Sequence, residues 1–227
     1  MRYAAYWAPP STSALWRFAA RWLGRDPETD ETFAAPDARH AAVTEEARRY
    51  GFHATLKAPI ALAEGFSEAD VVQALGGVAA RFTPFATAPW VLANIDGFLA
   101  LVPDPTIAAG RPAPLHALAD ACVLALEPMR RALSEADIAR RRPARLDPVA
   151  RGYLDRFGYP WVLEKFFAHL TLSCRLDAAE REAVAAQLRV ELAGLPAEPM
   201  PVHEIALFIE DAAGGPFRLA QKFPLGA

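Results

Sequence analysis

Two stretches of this chain, far apart in sequence, are near-twins: Tyr50-Gly51-Phe52-His53-Ala54-Thr55-Leu56-Lys57-Ala58-Pro59 and Phe166-Phe167-Ala168-His169-Leu170-Thr171-Leu172-Ser173-Cys174. Both contain His-x-Thr-Leu between apolar or aromatic residues. On an extended strand, residues two apart leave from the same face, so each stretch presents an imidazole beside a hydroxyl. The elements downstream of each copy repeat as well. After the first, Ser67-Glu68-Ala69-Asp70 opens an amphipathic helix carried on by Val71, Val72, Leu75, Val78, Ala79 and Phe82. Two apolar runs around Asp96-Gly97, spanning 90–102, then signal a hairpin. After the second, Asp177-Ala178-Ala179-Glu180 caps a helix through Val184, Leu188 and Leu192 that closes at Gly194. A strand pair over 202–210 and 217–223 comes next. The repeated order predicts a duplicated, bilobal α+β fold in one domain, with approximate halves 1–110 and 111–227. It should have pseudo-two-fold symmetry, two antiparallel sheets lining a central cleft and helices packed outside.

The remaining segments fit around that frame. Residues 2–8 read as an aromatic-rich strand stopped by Pro9-Pro10. Ser11 or Ser13 caps a helix carrying Leu15, Trp16, Phe18, Ala19, Trp22 and Leu23, and Gly24 ends it. Residues 25–44 are polar and aperiodic, which predicts a surface loop with a helical turn at 44–49. Pro114 to Leu133 reads as a helix with Leu115, Leu118, Cys122, Val123 and Leu126 on one face, and Ser134-Glu135-Ala136-Asp137 opens a further helical piece. Around it gather Arg130, Arg131, Arg140, Arg141, Arg142 and Arg145. They form either a solvated helix face or a patch that steers a phosphorylated substrate.

Composition narrows the function classes. A 227-residue chain with 53% hydrophobic residues can bury a substantial core. A net charge of −3 argues against a protein that wraps long nucleic acid. Cys122 and Cys174 supply neither a disulfide framework nor a zinc site, and no apolar run approaches a membrane span. A soluble cytoplasmic protein is expected. No P-loop and no G-x-S-x-G elbow occurs.

Breaking a phosphodiester needs a base for the incoming oxygen, an acid for the departing one, and donors to the nonbridging oxygens. Two His-Thr pairs supply all three, since one imidazole can be neutral while the other is protonated. No metal is demanded.

The motifs His53-Ala54-Thr55-Leu56 and His169-Leu170-Thr171-Leu172 resemble the paired H-x-[ST]-x signatures of the two-histidine (2H) phosphoesterase superfamily. The strings Arg49 to Pro59 and Asp155-Arg156-Phe157-Gly158-Tyr159-Pro160-Trp161 further resemble a bacterial branch encoded alongside phosphonate-utilisation genes. The resemblance implies metal-independent hydrolysis or transesterification of cyclic phosphates or 2′-5′ linked nucleotides across a cleft between two lobes. For that branch it points to a small sugar cyclic phosphate such as a phosphoribosyl 1,2-cyclic phosphate. Carried over by residue, it makes His53 and His169 catalytic and gives Thr55 and Thr171 the phosphate.

Geometry adds three candidate substrate contacts. On unbulged strands Lys57 and Ser173 share their motif faces, Lys57 as holder of a second phosphate, and Tyr159 could stack on a base or sugar. His40, His116 and His203 lack a matching hydroxyl and read as structural or surface residues, as does Cys174. No cofactor or metal is expected, and the partner is a small phosphorylated substrate. Two alternatives stay open: an RNA-end or 2′-5′ RNA processing enzyme, and a binding module that recognises phosphate without turnover.

Overall fold

Strand β1 (Arg2–Trp7) is buried from Tyr3 onward and lies inside the larger sheet of the computed structural model, which describes residues 1–107, 113–141, 143–195 and 198–226. Helices α1 (Ala14–Leu23) and α2 (Ala38–Tyr50) follow, then β2 (Ala54–Ile60), α3 (Glu68–Ala79), β3 (Phe85–Ala86) and the hairpin β4 (Trp90–Ile95) and β5 (Phe98–Pro103). Beyond it come α4 (Ala113–Leu126), α5 (Glu135–Arg140), α6 (Pro148–Phe157), β6 (Leu170–Thr171), α7 (Ala178–Ala193), β7 (Pro201–Val202), β8 (Glu204–Glu210) and β9 (Phe217–Pro224). The fold is α+β, and among the described residues every strand pairing is antiparallel.

Two sheets carry the motifs, and each takes strands from both ends of the chain. The larger has the order β2-β1-β8-β9, so the first motif sits on an edge strand beside the C-terminal hairpin. The smaller has the order β4-β5-β6, which puts the second motif on an edge beside the hairpin of the first half. A third pairing, β3 with β7, also joins the two halves. One continuous apolar core runs through Trp7, Leu56, Leu75, Leu101, Leu118, Leu170, Leu188 and Leu207. Main-chain ties add to it: Trp22 Nε1 donates to the Leu172 carbonyl at 2.8 Å, and the Cys174 N–H donates to the Val43 carbonyl at 2.7 Å.

Local signals act where expected. Ser13 accepts from the Trp16 N–H at 3.1 Å and Gly24 closes α1 at φ 80°; Ser67 and Asp70 form a capping box on α3; Asp96 and Gly97 take positive φ in the β4–β5 turn. Four readings need correction. Residues 25–44 are not all loop: Arg25 bridges Thr32, and α2 begins at Ala38, where Asp37 accepts from the His40 N–H. Only Val43, Thr44 and Ala47 of that helix are buried, so it is held by alanine-rich propensity and its cap and leaves little apolar period. The helix from 114 ends at Leu126 and tightens into a 3₁₀ turn over Glu127–Met129. Helix α6 went unpredicted although Asp147 caps it, Pro148 opens it and Gly158 closes it at φ 68°. The second motif strand shrinks to two residues because the Leu172 and Ser173 N–H groups share the Leu99 carbonyl, while the Leu99 N–H turns to the Ser173 hydroxyl. Arg142 and the 110/111 boundary lie outside the described residues.

Candidate active site

Each motif histidine is set by the same local device. His53 Nδ1 lies 2.9 Å from the Gly51 carbonyl, and His169 Nδ1 lies 2.8 Å from the Phe167 carbonyl, in both cases two residues back along the chain. A carbonyl only accepts, so Nδ1 carries the proton in the neutral ring and Nε2 is the unprotonated nitrogen. His53 Nε2 is 3.2 Å from Thr55 Oγ1, the partner expected from the two-residue spacing. The Thr171 hydroxyl has no protein partner among the described residues and lines a pocket of about 230 Å³ together with His53, Tyr50, Gly51 and Phe98. One member of each His-Thr pair, His53 and Thr171, therefore lines this small cavity, while Thr55 and His169 are not among its lining residues.

Gly51 makes the first device work. It adopts φ 75° with an extended ψ, and a side chain there would meet Pro27 at 2.6 Å. That backbone turn links the end of α2 to β2 and aims the Gly51 carbonyl at the imidazole. The His53 ring is stacked on Tyr6, with centroids 3.6 Å apart and planes 17° from parallel, while Tyr50 and Phe208 stand at 6.4 and 6.1 Å. His169 has Phe98 at 5.7 Å and the exposed Phe167 at 6.4 Å.

Burial governs the ionisation of both rings. His53 is pushed down to about 3, first by desolvation, against which the Gly51 carbonyl works, with a further push from the charge on His169. His169 is lowered by desolvation, with the Phe167 carbonyl opposing. The charge on His169 thus reaches His53, and burial disfavours the cationic form of both rings. Cys174 also lines the pocket, but burial raises its thiol pKa, which keeps it protonated and poorly nucleophilic.

The candidate contacts have other duties. β2 has a register irregularity between the partners of Thr55 and Lys57, and Lys57 is buried with its ammonium 2.7 Å from Glu127. That ion pair engages the ammonium at which a second phosphate was expected. Ser173 lines the pocket, but its hydroxyl accepts from the Leu99 N–H at 2.9 Å and donates to the Cys174 carbonyl at 2.8 Å, so it builds the β5–β6 junction. Tyr159 lies under Arg141 in a neighbouring cavity, with burial raising its phenol pKa. His40 Nε2 meets the Trp22 carbonyl at 2.6 Å and His116 Nε2 the Phe166 carbonyl at 3.2 Å, both scaffold bonds.

Sequence reading missed the residues that frame the histidines. Tyr6 is a core residue, buried with Ala4, Ala206, Phe208 and Phe217, and is also the platform under His53, while Tyr50, which opens the first stretch, walls the pocket. Glu210, a lone acid ending an apolar strand, is fully buried and grips Arg2 and Arg49. A buried carboxylate at a strand end was the available signal. Among the described residues no three His, Cys, Asp or Glu side chains gather to hold a metal ion, and no helix is long and apolar enough to cross a membrane.

Known proteins resemble this chain at several levels. The model of a family described as a protein of unknown function (DUF1045) matches residues 55–218. A ribose 1,5-bisphosphate phosphokinase PhnN of Laribacter hongkongensis is 38% identical over 234 residues, covering 97% of this chain and 51% of that protein. One of the same name from Janthinobacterium sp. (strain Marseille) is 32% identical, covering 98% and 50%. The chain thus spans about half the length of the curated relatives it matches. Among solved structures, E. coli LigT complexed with 3′-AMP aligns over 99% of this chain and 97% of its own, at 15% identity and a TM-score of 0.45. Kluyveromyces marxianus Usb1 aligns over 99% and 98%, at 11% identity and 0.39.

Proposed function

The chain belongs to the DUF1045 family, and from the site it carries we propose that it is a metal-independent phosphodiesterase that opens a small sugar cyclic phosphate with its two histidines. The observation that carries this reading is the matched pair of devices, each with Nδ1 tied to a carbonyl and a threonine two residues on, with His53 of the first motif and Thr171 of the second lining one cavity. In this mechanism His53, the ring that resists a charge, takes the proton from water. The water oxygen attacks phosphorus while His169 gives its proton to the departing sugar oxygen. One P–O bond forms, one breaks, and the product is a phosphomonoester with a free hydroxyl. Thr55 and Thr171 donate to the nonbridging oxygens, where charge accumulates.

The cavity supports a small substrate, since about 230 Å³ lies below the roughly 300–1,000 Å³ of pockets for drug-sized ligands. The relatives' name points the same way. Opening a ribose 1,2-cyclic phosphate at its 2-oxygen leaves a 1-phosphate, and with a phosphate on C5 the product is ribose 1,5-bisphosphate. This chain has no G-x-x-x-x-G-K-[ST] loop, so we assign the kinase named in the relatives to the part outside the matched half. The cytoplasm, where phosphorylated sugars are held, is the proposed location.

The test is a screen of ribose 1,2-cyclic and nucleoside 2′,3′-cyclic phosphates. His53→Ala and His169→Ala should each lower kcat by about 10² to 10⁴, and EDTA should leave turnover intact. Full activity in either variant would end the reading. Tight binding without turnover would favour a binding module, and preferred, steeply salt-dependent binding of short RNA would favour RNA processing.

A further inference from the structure

A larger cavity, of about 650 Å³, adjoins the histidine pocket, and Tyr50 contributes to the walls of both. Arg2, Arg49, Arg130, Arg131, Arg140 and Arg141 line it, against two lining carboxylates, Glu210 and Asp137. These arginines come from four separate segments. Arg2 lies on β1 and Arg49 at the end of α2. Arg130 and Arg131 lie on a stretch pinned beside β2 by Arg131 N–H to the Ala61 carbonyl at 2.8 Å, and Arg140 and Arg141 at the end of α5. A solvated helix face would not draw charges from four segments into one cavity.

Their engagement is uneven. Arg2 and Arg49 share the single carboxylate of Glu210, Arg140 is paired with Asp137, and Arg130 is held by Glu127 and by the Arg131 and Arg156 carbonyls. Arg131 and Arg141 have no carboxylate partner among the described residues. Arg141 is half-buried over Tyr159, its guanidinium 5.3 Å from the ring centroid, and desolvation lowers its pKa. Tyr6, under His53, is near enough to Tyr50, Tyr159 and Arg2 for their charges to act on it. The charge of Asp137 favours the Arg141 cation, but desolvation outweighs it, and a dianion in the cavity would offset the remaining cost. Guanidinium forks match phosphate oxygens in pairs.

We infer that the arginine cavity is a subsite for a second phosphate, so that the substrate carries a phosphomonoester in addition to the cyclic phosphate at the histidines. This rests on the proposed cyclic phosphodiesterase activity only for the second part: the anion site stands on the arginines alone. Arg131 and Arg141 are the residues free to take the phosphate, and Arg2 and Arg49 supply background charge.

The experiment pairs turnover with binding. In the wild type, kcat/KM should favour ribose 1,2-cyclic phosphate bearing a 5-phosphate over the same compound without it, by about ten- to a hundredfold, the worth of one or two charge-assisted hydrogen bonds. Arg131→Met and Arg141→Met should collapse that ratio through KM, whereas Arg189→Met, an equal charge change on the exposed surface of α7, should preserve it. Calorimetry with ribose 5-phosphate on the His53→Ala protein should show binding that both pocket variants weaken. A wild-type ratio near one, an unchanged ratio in the pocket variants, or no ribose 5-phosphate binding would overturn the subsite and leave the phosphodiesterase intact. Ribose 5-phosphate binding that needs Arg131 and Arg141, with no cyclic phosphate opened, would leave the subsite standing and end the phosphodiesterase reading. Displacement of ribose 5-phosphate by a short RNA that binds more tightly would overturn the proposal in favour of a strand contact.

Discussion

Glu210→Gln tests the electrostatic frame of the larger cavity. The Glu210 side chain is fully buried; its two oxygens accept from Arg2 Nε and Nη2, from Arg49 Nη2 and, at 2.9 Å, from the Gly214 N–H. Burial alone would raise its pKa, but the Arg2 and Arg49 hydrogen bonds win and hold it at about 2, against an ordinary 4.5. That gap of roughly 2.5 units corresponds to about 3 kcal/mol of stability at neutral pH. The folded pKa is depressed, so the contribution is present above pH 4.5 and is lost as pH falls through 2. Glutamine keeps the shape and one acceptor but removes the charge, leaving two guanidiniums without their counter-ion. Urea unfolding at pH 7 should show the variant less stable by about 3 kcal/mol, in line with the cost of breaking a buried ion pair. Near pH 2 the two proteins should converge, because wild-type Glu210 is then becoming protonated. A stability difference that is the same at pH 7 and pH 2 would refute the argument, since it would trace to packing rather than to ionisation.

Three further outcomes are expected. The kcat/KM profile should rise through a low acid limb set by His53, near 3, and fall above a limb set by His169 that lies below the ordinary 6.5; an acid limb at 6.5 would sink the assignment of His53 as base. Tyr6→Leu should let water reach the imidazole and raise the His53 pKa by about one unit or more, read from its NMR titration, while Tyr6→Phe keeps the stack and the low value. Lys57→Met should leave turnover close to wild type and change stability by about 1 kcal/mol or less, because Glu127 keeps Arg130 at 2.7 Å; a large KM increase would return Lys57 to the substrate.

The features legible in the sequence were those written in adjacent residues. The His-x-Thr spacing, the caps at Ser13, Ser67, Ser134 and Asp177, and the Asp96-Gly97 turn are local, and local chemistry fixed them. Lys57 was misplaced because alternation assumes an unbroken pleat, and a bulge cannot be seen in a string of residues. The arginine cavity was half legible: Arg130, Arg131, Arg140 and Arg141 stood out as a cluster, but Arg2 and Arg49 join them only through the pairing of β1 with β8 and the gathering role of Glu210.

Strand order sets how the two motifs are held relative to each other. Had each half folded on its own hairpin, β2 would lie beside β4–β5 and β6 beside β8–β9. Instead β2 reaches β8–β9 through β1, and β6 pairs with β5. Each histidine is thus supported by the hairpin of the other half, and Trp22 on α1 holds the carbonyl of Leu172 just beyond the second motif. Displacement of one hairpin would disturb the distant motif as well as the near one. Such interleaving holds the two edge strands at a fixed separation beside a cavity of about 230 Å³, and the proposed in-line chemistry would depend on that, since small errors in placement cost large factors in rate. The repeat in sequence supplies two equivalent parts, and the exchange of hairpins holds them in register across the cavity.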